Sequence, residues 1–269
     1  MILEWTTYIA LGLFAGFVAG LLGVGGGLII VPVLIFIFTA HHFADQYVVH
    51  LALGTAFASI VFTSISSFRA HHQHGAVDWK LWREISPGVV IGTLLGTVIA
   101  AYLSATFLKV FFVAFLFFVA TQMMLGFKPK AERELPRLPG MFAVGNVIGA
   151  ISSFVGIGGG TLSIPFMTWC NVSLHRAIGT SAAIGLPIAV AGAVGYAANG
   201  LLVQSELPPY SWGFIYFPAL VAIVLASILT APLGARLAHQ LPVHKLKKIF
   251  ALLLYILGVR MLISIINGG

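Results

Sequence analysis

The 269-residue chain is 59% hydrophobic and 8% charged, with a mean hydropathy of +1.05, whereas a soluble domain carries about 25% charged residues. So few charges cannot cover a water-exposed surface, which excludes a soluble globule and leaves room for roughly eight membrane spans of about 20 residues with short loops. The net charge of +7 sits in a few loops between apolar runs, a pattern that orients a membrane protein rather than one that binds nucleic acid.

The chain opens Met1-Ile2-Leu3-Glu4-Trp5, without the basic stretch of a secretory signal, and is read as the start of a first helix. Eight hydrophobic blocks follow, two of them interrupted: 5–38, broken at Gly23–Gly27, and 141–170, broken at Gly156–Gly160. The others run 47–68, 85–104, 107–126, 176–198, 211–237 and 246–267. A helix over 28–38 would be roughly 16 Å long, about half of a ~30 Å hydrocarbon core. Each interrupted block therefore reads as a bent hairpin with its glycine tip inside the membrane.

Cation placement agrees. Lys and Arg concentrate in 69–83, 127–140 and 236–248, and are sparse at the N-terminus, in 39–46, 105–109 and 199–210, and in the C-terminal tail. If each interrupted block returns to its side of entry, all the rich segments become cytoplasmic and both termini lie outside.

The chain also repeats itself. At an offset of 133, Gly12, Gly16, Gly23, Gly25, Gly26, Gly27 and Pro32 match Gly145, Gly149, Gly156, Gly158, Gly159, Gly160 and Pro165. His50…Gly54-Thr55 then matches His175…Gly179-Thr180, and Lys109-Val-Phe matches Lys248-Ile-Phe. With the orientation above, the halves run in opposite senses, a recurrent plan of secondary transporters. The expected architecture is an all-α polytopic integral membrane protein with two inverted-topology repeats, each a glycine-broken helical hairpin plus three transmembrane helices. The repeats cover 1–127 and 140–269, joined by a cytoplasmic linker over 128–139.

Paired broken segments point to a binding site. Helices beginning near Leu28 and Thr161 present free N–H groups and positive dipole ends, which suit a small anion. The candidate substrate-binding residues are Gly25, Gly26, Gly27 and Thr55 in half one, and Gly158, Gly159, Gly160, Thr161, Ser163, Thr180 and Ser181 in half two. Ser59 is a further hydroxyl near the first tip. The competing reading, close helix packing, suits Gly12, Gly16 and Gly20 at spacing four. An intramembrane Ser or Thr also commonly bonds its own helix carbonyl.

All seven acids lie in loops or at helix ends, which argues against a cation pump. Export of an anion from a negative-inside cell needs no coupling ion. Arg260, inside the last block, either snorkels outward or stands on the anion route. His50 and His175 sit near helix starts, as packing groups or as titrating ones. His41, His42, His71, His72 and His74 raise a divalent metal-ion permease as the alternative, but they lack acid or Cys partners at ligand spacing. Neither G-x-S-x-G nor H-E-x-x-H occurs, and no acid is buried to act as a base, so no enzyme is expected. No resident metal or other cofactor is implied. Cys170, the single cysteine, excludes a disulfide framework.

Gly16-Phe-Val-Ala-Gly20-Leu-Leu-Gly-Val-Gly-Gly-Gly27 with Pro32, the His50–Thr55 segment, Gly75-Ala-Val-Asp-Trp79 and the copies Gly156–Pro165 and Gly179-Thr180-Ser181 give the chain its likeness. It resembles the sulfite exporter TauE/SafE family of bacterial membrane permeases along essentially its whole length. The resemblance implies a carrier of small sulfur-containing or organic anions, such as sulfite or an organosulfonate, in the bacterial cytoplasmic (inner) membrane. The expected partners are that anion and the lipid bilayer, with a homodimer left open. Leu28 and Ile30 stand where the second copy has Thr161 and Ser163, so polar contacts are expected mainly from half two.

Overall fold

The computed structural model describes residues 2–22, 25–73, 75–126, 133–238 and 243–267. Its helices are α1 (Ile2–Leu22), α2 (Gly27–Ala40), α3 (Asp45–Gln73), α4 (Trp79–Tyr102), α5 (Ala105–Leu125), α6 (Leu138–Val155), α7 (Gly160–Trp169), α8 (Leu174–Leu201), α9 (Phe217–Ala238) and α10 (Val243–Ile266). All but α2 and α7 are long and apolar enough to cross a membrane. The chain is an all-α multi-pass membrane protein.

Boundaries moved where caps operate. The expected block at 85–104 begins at Trp79, because the Asp78 carboxylate accepts the N–H groups of Lys80 and Leu81, both at 3.1 Å. Residues 211–237 open on a small antiparallel hairpin, β1 (Ser211–Trp212) and β2 (Ile215–Tyr216), before α9 starts. Gln204 fastens that hairpin, donating to the Ser211 carbonyl and accepting from Gly213 N–H.

Both interrupted blocks double back. His41, just past α2, lies 3.7 Å from Glu4 near the start of α1. Arg133, ahead of α6, donates its N–H to the Trp169 carbonyl at the end of α7 and lays its guanidinium over the Trp169 ring. Each hairpin thus returns to its own end of the bundle. At one end, here the Glu206 end, Tyr216 packs its ring on Tyr8, Phe38 and Phe43, and Tyr47 donates to Glu206. The opposite, Asp78 end joins Asp78 to Thr180 and Trp82 to the Ala183 carbonyl.

α1 runs parallel to α9, and α4 parallel to α6, both at close quarters. A Cβ on Gly12 would lie 2.7 Å from the Ile223 carbonyl oxygen, and one on Gly16 2.5 Å from Ser227 Cα. Gly145 presses in the same way on the Ile85 carbonyl of α4. For Gly12 and Gly16 the packing reading holds. α3 and α8 cross antiparallel through the centre, with Phe57 stacked on Tyr196 and Gly185 beside Ser64. α5 and α10 pair at the periphery through Thr121 and Tyr255, 2.7 Å apart. They leave Phe118, Leu252 and Ile256 exposed, an apolar face suited to lipid.

Candidate functional site

Each broken hairpin ends in the same local structure. Gly26 and Gly159 take left-handed backbone angles, φ 76° and 78°, which glycine adopts at little cost. Each caps the short helix that follows. Ile29 and Ile30 donate to the Gly26 carbonyl at 3.0 Å, and Leu162 and Ser163 donate to the Gly159 carbonyl at 3.0 and 2.8 Å. The preceding N–H groups, of Gly27 and Leu28 and of Gly160 and Thr161, have no acceptor within their own helix and carry its positive end.

The two tips touch. A Cβ on Gly25 would lie 3.4 Å from Gly158 Cα, and Gly27 packs directly on the Gly156 carbonyl. Gly23 and Val24 lie outside the described residues. Beside the tips is a cavity lined by Ala19 and Gly20 of α1, Gly25, Thr63, Ser64 and Ser67 of α3, Gly158, Ser181, Ala182 and Gly185 of α8, and Ala231 of α9. Its volume of about 20 Å³ holds about one water. The α3, α8 and α9 residues come from the halves of those helices nearest the Asp78 end, so the cavity lies on that side of the tips. On the Glu206 side Phe57, fully buried, packs over Gly192 against Tyr196.

Residues 8–261 match the family described as sulfite exporter TauE/SafE. The chain belongs to that family. A probable membrane transporter protein of Haemophilus influenzae is 34% identical over 94% of this chain and 96% of its own length. Similar proteins of Bacillus subtilis (25%, covering 92% and 96%) and Methanocaldococcus jannaschii (25%, covering 95% and 94%) are also described as probable membrane transporters. No solved structure matches. Like its TauE/SafE relatives, this protein is a membrane transporter.

The structure divides the residues singled out from the sequence of this TauE/SafE member. Gly25, Gly158 and Ser181 line the cavity. Ser163 is fully buried and donates to Ser181 at 2.9 Å. Gly26, Gly27, Gly159 and Gly160 form the tips behind it, and the Thr161 hydroxyl at the start of α7 is buried without a hydrogen-bond partner among the described residues. Thr55 and Thr180 are not among the lining residues. They lie towards opposite ends of the bundle, where Thr55 Oγ1 accepts the Tyr216 N–H and Thr180 Oγ1 the Asp78 N–H. Ser59 bonds its own helix at the Thr55 carbonyl.

Sequence reasoning missed Thr63, Ser64 and Ser67, although the run Thr63-Ser-Ile-Ser-Ser67 in an apolar helix was a usable signal. Gly20, for which spacing favours packing, also lines the cavity. Arg260 is exposed and His175 likewise, while His50 is buried with Nε2 2.9 Å from the Ala100 carbonyl oxygen. His72 lies against Phe68 and Trp79 at the Asp78 end, remote from His41 at the other, and His74 lies outside the described residues. Among the described residues no three His, Cys, Asp or Glu gather as metal ligands.

Proposed function

We propose that this transporter moves a small oxyanion, such as sulfite or an organosulfonate, outward across the bacterial inner membrane by alternating access about the glycine tips. The observation that carries the reading is the contact of Gly25 with Gly158 beside a hydroxyl-lined cavity. Two helix N-termini converge there, and such ends attract anions. A cavity with room for one water is a closed state, and a solute enters when the flanking helices part.

Orientation supports export. Arg69, Lys80, Arg83, Arg133, Arg137 and Arg176 belong to segments at the Asp78 end, an excess of cations that supports a cytoplasmic Asp78 end with both termini outside. The cavity then faces inward, and a negative-inside potential favours exit by ~2.3 kcal/mol per charge per 100 mV. Inverted repeats over 1–127 and 140–269 supply the symmetry that such a cycle needs. Their support is the pairing of α1 with α9 and of α6 with α4, the same contact with the halves exchanged.

The test is efflux of radiolabelled sulfite from proteoliposomes under an imposed potential. Protein-dependent efflux faster with a negative interior, and abolished in Gly158→Val, is expected. Absence of any anion flux, or full flux in Gly158→Val, rejects the reading.

A further inference from the structure

We infer that the site accepts its oxyanion only in a singly charged form, so that of the two species of sulfite in neutral water it takes hydrogensulfite. The inference rests on the anion reading above and narrows it to one charge state. Among the described residues lining the cavity there is no Lys, Arg or His to neutralise charge and no Asp or Glu to hold a proton. Positive potential comes from the two helix ends, each worth about half an elementary charge, or about one charge together. A monoanion is therefore balanced. A dianion leaves one charge uncompensated where water is nearly excluded, and the cost of burying an ion grows as the square of its charge.

The hydroxyls agree with that balance. Ser64 is 5% exposed, lines the cavity and makes no hydrogen bond to a described residue; Ser67 is likewise unbonded. Ser181 accepts from Ser163, which leaves its own proton free to donate. Thr63 spends its proton on the Ile60 carbonyl at 3.1 Å and keeps lone pairs to accept. A set that both donates and accepts suits an anion that still carries an acidic hydrogen, because a fully deprotonated one offers acceptors only.

Chlorate and the sulfite dianion are both pyramidal three-oxygen ions, and chlorate keeps one charge at every relevant pH. Purified full-length protein is titrated with sodium chlorate and with sodium sulfite, one pH unit below and one above the second ionisation of sulfite. Chlorate affinity should be unchanged between the two pH values, while the apparent sulfite affinity falls about tenfold, following the singly charged fraction. Ser64→Ala should weaken chlorate binding and Ser64→Thr restore it. Sulfite affinity that is flat or rises with pH overturns the charge selection while leaving an anion site in place. Chlorate binding untouched in Ser64→Ala overturns the assignment to this cavity. If neither ion binds at either pH, the anion reading fails and this inference with it.

Discussion

Thr55 Oγ1 accepts the backbone N–H of Tyr216 at 2.9 Å, a bond from the middle of α3 to the residue that precedes α9. Its counterpart joins Thr180 to Asp78, the residue that precedes α4, also at 2.9 Å. The glycines before them match too: Gly54 presses on the Phe214 carbonyl and Gly179 on the Ala76 carbonyl. The Gly-Thr pair of α3 thus clamps the entry to α9, and that of α8 clamps the entry to α4.

Removing a clamp hydroxyl strands a backbone N–H, which costs about 1–3 kcal/mol when the group is buried. Thr55→Val and Thr180→Val should each lower thermal stability in detergent by that order, with Thr→Ser recovering most of it. Anion affinity should be unaltered, since neither residue lines the cavity. Titration of the purified variants beside their melting curves checks both halves of this expectation.

Gly158 offers a cleaner test of the tips than their capping glycines. Gly26 and Gly159 have positive φ, so any side chain there strains the backbone, and a Cβ on Gly159 also collides with Ile188. A Cβ on Gly158 meets its nearest neighbours, Ile60, Gly185 and Gly25, at 3.6, 3.7 and 3.8 Å, ordinary contact. Gly158→Ala should therefore insert and transport, whereas Gly158→Val should insert and fill the cavity. Membrane yield beside flux, measured for both variants, decides it.

The tips were legible because three consecutive glycines break an apolar helix wherever they occur, and cation placement required the chain to turn back there. What those tips face was not. Ser59 and Ser64 look alike in an apolar helix, yet Ser59 satisfies itself on the Thr55 carbonyl and Ser64 lines the cavity. The difference depends on which neighbouring helix lies opposite, and spacing along α3 does not encode that. Thr55 and Thr180 were recognisable as equivalents for the same reason that their partners were not: the matching segments are adjacent in sequence, and the bonds they make are to residues 161 and 102 positions away. The hairpin over 211–216 escaped notice because two-residue strands carry no periodicity.

Phe57 lies towards the Glu206 end of α3 from the cavity, fully buried and stacked on Tyr196, whose hydroxyl is held by the Ser153 carbonyl at 2.9 Å. Replacing a buried phenylalanine with alanine costs about 3–5 kcal/mol. Phe57→Ala should be destabilised by that order and release anion faster than the wild-type protein, because less side-chain volume then stands on the Glu206 side of the tips. Phe57→Leu keeps much of the volume and should retain most of the stability. Passive efflux from loaded proteoliposomes at zero potential separates the two variants, and a tight Phe57→Ala would place the barrier elsewhere.

Cys170, just past α7, reports on whether the α6–α7 hairpin opens. The thiol is 5% exposed, and burial pushes its pKa up, with the nearby Arg133 guanidinium pulling weakly the other way. The thiolate is the nucleophile, so a raised pKa leaves less of it at any given pH. Maleimide should therefore label the native protein well below the rate of a free cysteine at neutral pH. The rate should climb as pH rises towards the thiol's raised pKa, later than for the free amino acid. Arg133→Gln removes the opposing charge and the cation held over the Trp169 ring at 4.6 Å. If the hairpin stays shut, labelling slows further because the pKa rises. If labelling instead accelerates, Arg133 is what fastens the hairpin's return, and exposure has overcome the electrostatic effect. Labelling time courses on the single-cysteine protein, with and without the substitution, read these outcomes directly.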